Sequence, residues 1–224
     1  GGINGHSLMN LPKDISELNS LFRDRGFSLY VVGGAVRDHL LGKPIKEWDL
    51  TTDAPPNEIE KILRNKTTQV GIVGKRFGTV TAKLESLELE ITTFRGEIYD
   101  FNSRHPQISF GTNLAEDLAR RDFTINAMAY DLSNHQLIDK FNGESDLKSK
   151  VIRSVNDPEE RFNEDPLRML RAIRFATTLD FKIEELTARS IALQKERLIS
   201  LSAERIAGEL DKILLASKPS IGID

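Results

Sequence analysis

The run Ser28–Val32 is apolar and ends in the pair Gly33-Gly34, with Arg37-Asp38 just behind it. The run reads as a short buried strand, and Ala35–Leu41 as a short helix stopped by Gly42 and Pro44. The glycines therefore sit at a strand-to-helix turn. Glycine there lets the backbone approach an anion, and the following helix start offers free N–H groups to it. Arg37 lies within the first turn and reaches the same place. Next comes Trp48–Thr52, a second strand, flanked and entered by Glu47 and Asp49. Two residues apart in a strand means one face, with Leu50 pointing the other way. This layout suits a pocket for a triphosphate and a divalent metal.

The 224 residues allow one large domain, or one domain with a helical annex. There is no cysteine, which excludes disulfides, thiolate-bound zinc and a thiol nucleophile, and fits a reducing compartment. No apolar run reaches membrane-spanning length and no signal-peptide pattern opens the chain, so a cytoplasmic location and no membrane partner are expected. The net charge of −3 gives no compositional argument for nucleic acid binding.

Along the chain, Ile15, Leu18, Leu21 and Phe22 recur at helical spacing, with Gly26 as C-cap. Pro56–Leu63 reads as a helix. Thr79–Leu84 and Leu87–Phe94 alternate apolar and polar residues around Glu85-Ser86, a hairpin signal. Arg95 to about Thr112 lacks periodicity, and a loop that long is usually functional or disordered. Leu114–Tyr130 reads as one helix, followed by short strands near Leu137–Asp139 and Val151–Arg153. From Asp157 onward Leu167–Leu179, Ile191–Leu198 and Ile206–Leu215 are helical patterns without strand signals. A boundary is expected near Val155–Glu160.

Three further constellations carry chemistry. In LELEITTF, Glu90 or its face partner Glu88 supplies a third carboxylate, and spacing alone does not choose between them. Carboxylates converging on one face suit a hard cation such as Mg²⁺, and two such ions roughly 4 Å apart activate a hydroxyl and hold a leaving pyrophosphate. In RRDFTINAM, Asp122 and Asn126 are four apart and would share a helical face, with Arg121 beside them to grip phosphate. In EDPLRMLRAIRF, Asp165 is a natural N-cap before Pro166. Its spacing to Arg168 aims an acceptor and a donor fork one way, as needed to read a base edge. Taken singly, each motif also fits solvated strand charges, a capped helix or a surface ion pair.

In their joint order, YVVGGAVRDHLLG, EWDLTTDA, LEITTFR, RRDFTINAMAYD and EDPLRMLRAIRFA closely resemble the class II tRNA nucleotidyltransferases and the bacterial poly(A) polymerases, within the polymerase-β-like nucleotidyltransferases. The resemblance runs from about Ser28 to Leu215. It implies an α+β fold: a head with a mixed or antiparallel sheet and flanking helices, then an all-helical neck. The head is expected over 1–155 and the neck over 156–224, with the family's C-terminal body and tail absent.

The resemblance also assigns residues. Glu47, Asp49 and Glu90 correspond to the catalytic acids, with Mg²⁺ on Glu47 and Asp49. Gly33, Gly34, Arg37, Arg121, Asp122 and Asn126 correspond to the residues around sugar and phosphates. Glu164, Asp165 and Arg168 correspond to the set that selects CTP and ATP, with Arg171 beside the nucleotide. Arg95, Glu97, Tyr99, Asp100 and Arg104 fall in the loop that switches specificity from C to A. The implied reaction is template-independent addition of CCA, or its terminal A, to the acceptor end of tRNA. Poly(A) addition is the alternative within the family. Glu47 stands where the family has Asp, and its extra methylene displaces a ligand oxygen by roughly an ångström if the backbone stays put. A nucleotide- or RNA-binding module with weakened catalysis is the third reading. Oligomeric state is left open.

Overall fold

The computed structural model of the chain describes residues 8–66, 71–76, 78–84, 87–94 and 113–217. The chain divides into two compact units, residues Gly1–Ala119 with Asn126–Lys140, and Arg120–Ile125 with Phe141–Asp224.

In the first unit the elements are α1 (Lys13–Asp24), β1 (Leu29–Val32), α2 (Gly34–Leu40), β2 (Glu47–Thr52), α3 (Pro56–Lys66), β3 (Gly71–Arg76), β4 (Thr79–Leu84), β5 (Leu87–Thr93), α4 (Leu114–Ala119), β6 (Ala129–Asp131) and β7 (Gln136–Ile138). Among the described residues the strands form one seven-stranded sheet in the order β3-β4-β5-β2-β1-β6-β7. β2 and β5 run parallel, and the other neighbours are antiparallel. The sheet is therefore mixed, as expected. Period-two alternation explains its sidedness. Trp48, Leu50, Leu89 and Ile91 are buried, while Glu47, Glu88 and Glu90 stand exposed on the other face.

Helices α1 and α3 bury Ile15, Leu18 and Phe22, and Ile59, Ile62 and Leu63. Helix α1 ends where the Gly26 N–H donates to the Arg23 carbonyl and the Phe27 N–H to the Phe22 carbonyl, at 2.9 Å each. Gly26 holds φ +81°, the left-handed conformation this helix ending requires. Lys66, at the end of α3, joins the two helices through Asp14 and Glu17, at 2.8 and 2.9 Å.

The second unit carries α5 (Gly143–Ser149), β8 (Val151–Ile152), α6 (Pro158–Glu164), α7 (Leu167–Leu179), β9 (Lys182–Ile183), α8 (Glu185–Gln194), a 3-10 stretch (Lys195–Ser200) and α9 (Ala203–Ser217). Phe123, Ile125, Ile152, Val155, Phe162 and Met169 lie in its core. β8 pairs in parallel with β9, so the region after Asp157 is not purely helical. The helix expected over Ile191–Leu198 is α8, which starts earlier and gives way to the 3-10 stretch. Its start is set by Glu184, whose carboxylate accepts from the backbone N–H groups of Leu186 and Thr187.

The single helix expected over Leu114–Tyr130 is not formed. Helix α4 stops at Ala119, Thr124–Asn126 make one 3-10 turn, and Ala129–Asp131 are strand β6. Local polar bonds compete with the helix here. The Asp122 carboxylate accepts from the Phe123 N–H at 2.7 Å, and the Thr124 hydroxyl donates to Asp146 at 2.6 Å. The backbone turns instead to residues 153–155. Thr124 N–H donates to the Arg153 carbonyl, and Val155 N–H to the Asp122 carbonyl. Among the described residues no helix is long and apolar enough to cross a membrane.

Candidate active site

The parallel β2–β5 register sets Glu47 beside Glu88 and Asp49 beside Glu90. Residues paired in register share a face, so all four carboxylates lie on one side of the sheet. The register thus pairs the acid that the spacing left undecided: Glu90 is the direct neighbour of Asp49. On the far side of β5, Thr81 is opposite Glu90 and Lys83 opposite Glu88. Further along, Thr79 and Thr92 hydroxyls hydrogen-bond at 3.0 Å, and the Thr51 hydroxyl donates to the Thr92 carbonyl at 3.0 Å. These bonds tie β4, β5 and β2 together just past the acids.

Asp49 is half-buried and Glu47 exposed. Among the described residues no three acidic or histidine side chains close around one point. The three carboxylates expected around a cation share one face and adjacent strands, without closing into a cage. That is the arrangement magnesium uses with nucleotides, where one or two carboxylates share the ion with substrate phosphates. The donors are hard oxygens, which fits this ion.

Gly33 lies between β1 and α2 with φ +68°, where a Cβ would be strained. Its N–H donates to the Met128 carbonyl of the neighbouring chain segment at 3.3 Å. Gly34 has a different reason to be glycine: a Cβ there would stand 3.2 Å from the Arg37 guanidinium. Arg37 lies over that bare backbone, donating from Nη1 to Asn126 at 2.7 Å and from Nε to Asp38 at 3.1 Å. Asn126 therefore belongs with Arg37. It does not share a helical face with Asp122, because the helix that would have aligned them is absent.

In the second unit, Asp122 is buried and pairs with Arg171, whose Nε and Nη2 lie 2.8 and 2.7 Å from one carboxylate oxygen. Burial works against the Arg171 charge, but the Asp122 carboxylate, with Glu209 and Asp165 adding to it, raises the guanidinium pKa overall. Arg171 also lies over the Phe175 ring, at 5.4 Å. Arg121 is half-buried at the same turn.

Asp165 takes extended backbone angles after α6 and accepts from the Leu167 N–H at 3.2 Å, the capping role expected of it. Its other oxygen accepts from Arg205 at 2.9 Å. Arg168 turns elsewhere: it donates to Glu164 at 2.8 Å, to the Arg161 carbonyl at 3.2 Å and to the Arg120 carbonyl at 2.7 Å. Glu164 also accepts from Arg161 at 2.8 Å. Asp165 and Arg168 thus sit together at the start of α7 but are each held by other partners. Arg205 carries no short-range sequence signal, since forty residues separate it from Asp165. Arg161 does, through its i,i+3 spacing to Glu164. The loop residues Arg95, Glu97, Tyr99, Asp100 and Arg104 lie outside the described residues.

Residues 29–153 match the family described as Poly A polymerase head domain, and residues 180–224 match one described as probable RNA and SrmB-binding site of polymerase A. The chain is 46% identical over 212 residues to the CCA-adding enzyme of Enterococcus faecalis, covering 93% of this chain and 51% of that protein. It is 44% identical over 218 residues to the CCA-adding enzyme of Pediococcus pentosaceus, covering 96% and 54%. The structure resembles that of the Bacillus stearothermophilus CCA-adding enzyme in complex with CTP, at TM-score 0.79 and 36% identity, covering 90% of this chain and 48% of that one. It also resembles the Thermotoga maritima CCA-adding enzyme complexed with tRNA, at TM-score 0.76 and 33% identity, covering 93% and 49%. The chain spans about half the length of the curated relatives it matches.

Proposed function

We propose, from the fact that this chain belongs to the Poly A polymerase head domain family, that it is a template-independent RNA nucleotidyltransferase. It adds CCA, or its terminal A, to the 3′ end of tRNA from CTP and ATP and releases pyrophosphate. The observation that carries the reading is the β2–β5 register, which sets Asp49 beside Glu90 with Glu47 on the same face. The relatives named CCA-adding enzymes, and the related structures with CTP and tRNA, support the choice of substrates. The site of action is the cytoplasm. The division of labour is a catalytic head over 1–155 and a nucleotide-recognition neck over 156–224, supported by the end of the head-domain match at residue 153.

Glu47 and Asp49 would hold Mg²⁺, which when bound would supply Lewis-acid stabilisation of charge on the phosphates. The chain's own residues do the rest. The Gly33-Gly34 turn admits the triphosphate against bare backbone, and Arg37, kept in place by Asn126 and Asp38, meets its charge. Glu90 takes the proton of the RNA 3′-hydroxyl, which attacks the α-phosphorus in line. Arg121, Asp122 and Arg171 hold the sugar and phosphates, so that Asp122 favours ribonucleotides by accepting from the 2′-hydroxyl. Asp165 and Arg168 exchange their present partners for the edge of cytosine or adenine, with Glu164 holding Arg168 in reach. The loop over Arg95–Phe110 governs the change from C to A.

Labelled CTP and ATP, supplied singly with Mg²⁺ and tRNA lacking its CCA end, test the reading against an Asp49→Asn control. Incorporation of both that is lost in the control supports it. No incorporation of either nucleotide sinks it.

A further inference from the structure

Residues Arg120–Ile125 leave the first unit's chain, pack in the second, and return at Asn126. Within this short excursion lie Arg121 and Asp122. The excursion is fastened along its length. Thr124 N–H donates to the Arg153 carbonyl at 2.9 Å, Val155 N–H donates to the Asp122 carbonyl at 3.1 Å, and Phe123 makes an isolated bridge with Ser154.

Backbone bonds hold the strand register, and one side-chain contact fixes its end. The Thr124 hydroxyl, on a residue 3% exposed, donates to Asp146 Oδ2 at 2.6 Å. Asp146 is itself 6% exposed, and Arg153 Nε lies 3.2 and 3.4 Å from its two oxygens. Arg153 in turn lies 3.7 Å from Glu184. A buried carboxylate is costly unless paired, and a charge-assisted hydroxyl bond in such surroundings is strong and directional. Neither Thr124 nor Asp146 is among the residues that meet the nucleotide in the proposed reaction.

We infer that Thr124 and Asp146 are positioning residues: their bond pins the Arg120–Ile125 strap so that Asp122 is held ready for nucleotide. This rests on the proposed role of Asp122 in nucleotide binding. Thr124 lies two residues from Asp122 in the same fastened stretch, so slack at Thr124 reaches Asp122. A bond of purely structural value would lower thermal stability and leave the affinity of the folded protein unchanged. A positioning bond weakens ATP and CTP binding alike, because it acts on sugar and phosphate groups common to both.

The test is direct binding of ATP and CTP with Mg²⁺ to the protein carrying Thr124→Val, Thr124→Ser or Asp122→Asn, beside melting curves. Thr124→Val keeps the shape and removes the donor. It is expected to weaken both nucleotides by about tenfold, the scale of one lost bond to a buried charge. Thr124→Ser keeps the hydroxyl and is expected to bind within about twofold of the parent. Unchanged affinity in Thr124→Val while Asp122→Asn binds poorly overturns the positioning role alone. Unchanged affinity in Asp122→Asn overturns the nucleotide role of Asp122 on which it rests. Should Thr124→Val not fold, Asp146→Asn decides by the same readout, since it strips the charge from the acceptor, and unchanged affinity there overturns the inference.

Discussion

Arg171 closes on Asp122 across forty-nine residues of sequence, with two guanidinium nitrogens within 2.8 Å of one carboxylate oxygen. The pair ties the Arg121-Asp122 turn to helix α7, whose first turn carries the proposed base-reading side chains. Asp122 is 7% exposed and Arg171 33%. Asp122→Ala therefore leaves a partly buried guanidinium without its carboxylate. The expected loss is about 1.5–3 kcal/mol, the range for hydrogen bonds to charged groups. Urea unfolding of parent and variant measures it, and a difference within error would contradict the pairing.

Gly34→Ala makes a geometric test of the turn. Its methyl group would come within 3.2 Å of the Arg37 guanidinium, which has to yield by a few tenths of an ångström. The expected result is weaker ATP and CTP binding with little change in melting temperature. Gly33→Ala should behave differently, because φ at 33 is +68° with ψ −133°, a region sparsely populated by L residues, and a side chain there costs about 1–3 kcal/mol in backbone strain. Titration of nucleotide and a melting curve on each variant separate the two effects.

Glu184 predicts a pH dependence. Burial pushes its carboxyl pKa up, but the Leu186 and Thr187 N–H groups, the Thr187 hydroxyl and Arg153 together bring it below the ordinary value. A lowered pKa means the stabilisation is complete above the ordinary glutamate range and is lost as pH falls through the lowered value. Glu184→Ala should cost about 1 kcal/mol at neutral pH, as losses of helix caps do. The gap between variant and parent in urea unfolding should shrink towards pH 3. A gap that stays constant with pH would contradict the assignment.

Much of the first unit was legible because its strands are sided. Thr79–Leu84 and Leu87–Thr93 alternate cleanly, and so does Glu47–Leu50, so β2, β4 and β5 and their exposed acids could be read directly. Period two could not say whether Glu88 or Glu90 stands beside Asp49. That depends on the parallel register of β2 with β5, a pairing made across the intervening α3, β3 and β4. The stretch Arg120–Asn126 misled for a related reason. Its residues tolerate a helix locally, but distant groups at Asp146, Arg153 and Val155 take up its polar atoms. Strand β3 contains two glycines in six residues and shows little alternation to read. Asp165 was legible as a cap, since that role is local, whereas its partner Arg205 was not.

Glu47 makes a separate prediction about catalysis. It sits on the same face as Asp49, two register positions from the Asp49–Glu90 pair, and it is exposed. An exposed, longer ligand has room to bend its extra methylene towards a shared ion. Glu47→Asp should therefore keep nucleotide incorporation with Mg²⁺ within about tenfold of the parent, a change of about 1.4 kcal/mol in barrier. Asp49→Asn should remove it. A rise of more than a hundredfold in Glu47→Asp would favour the reading in which catalysis is weakened by Glu47.

The most direct measurement is the sequence of the products. The protein is incubated with tRNA lacking its CCA end and with Mg²⁺, and given CTP, ATP or both. Ends completed to CCA are expected when both nucleotides are present, with addition stopping there. A long run of A from ATP alone, or unextended tRNA in every mixture, would contradict it.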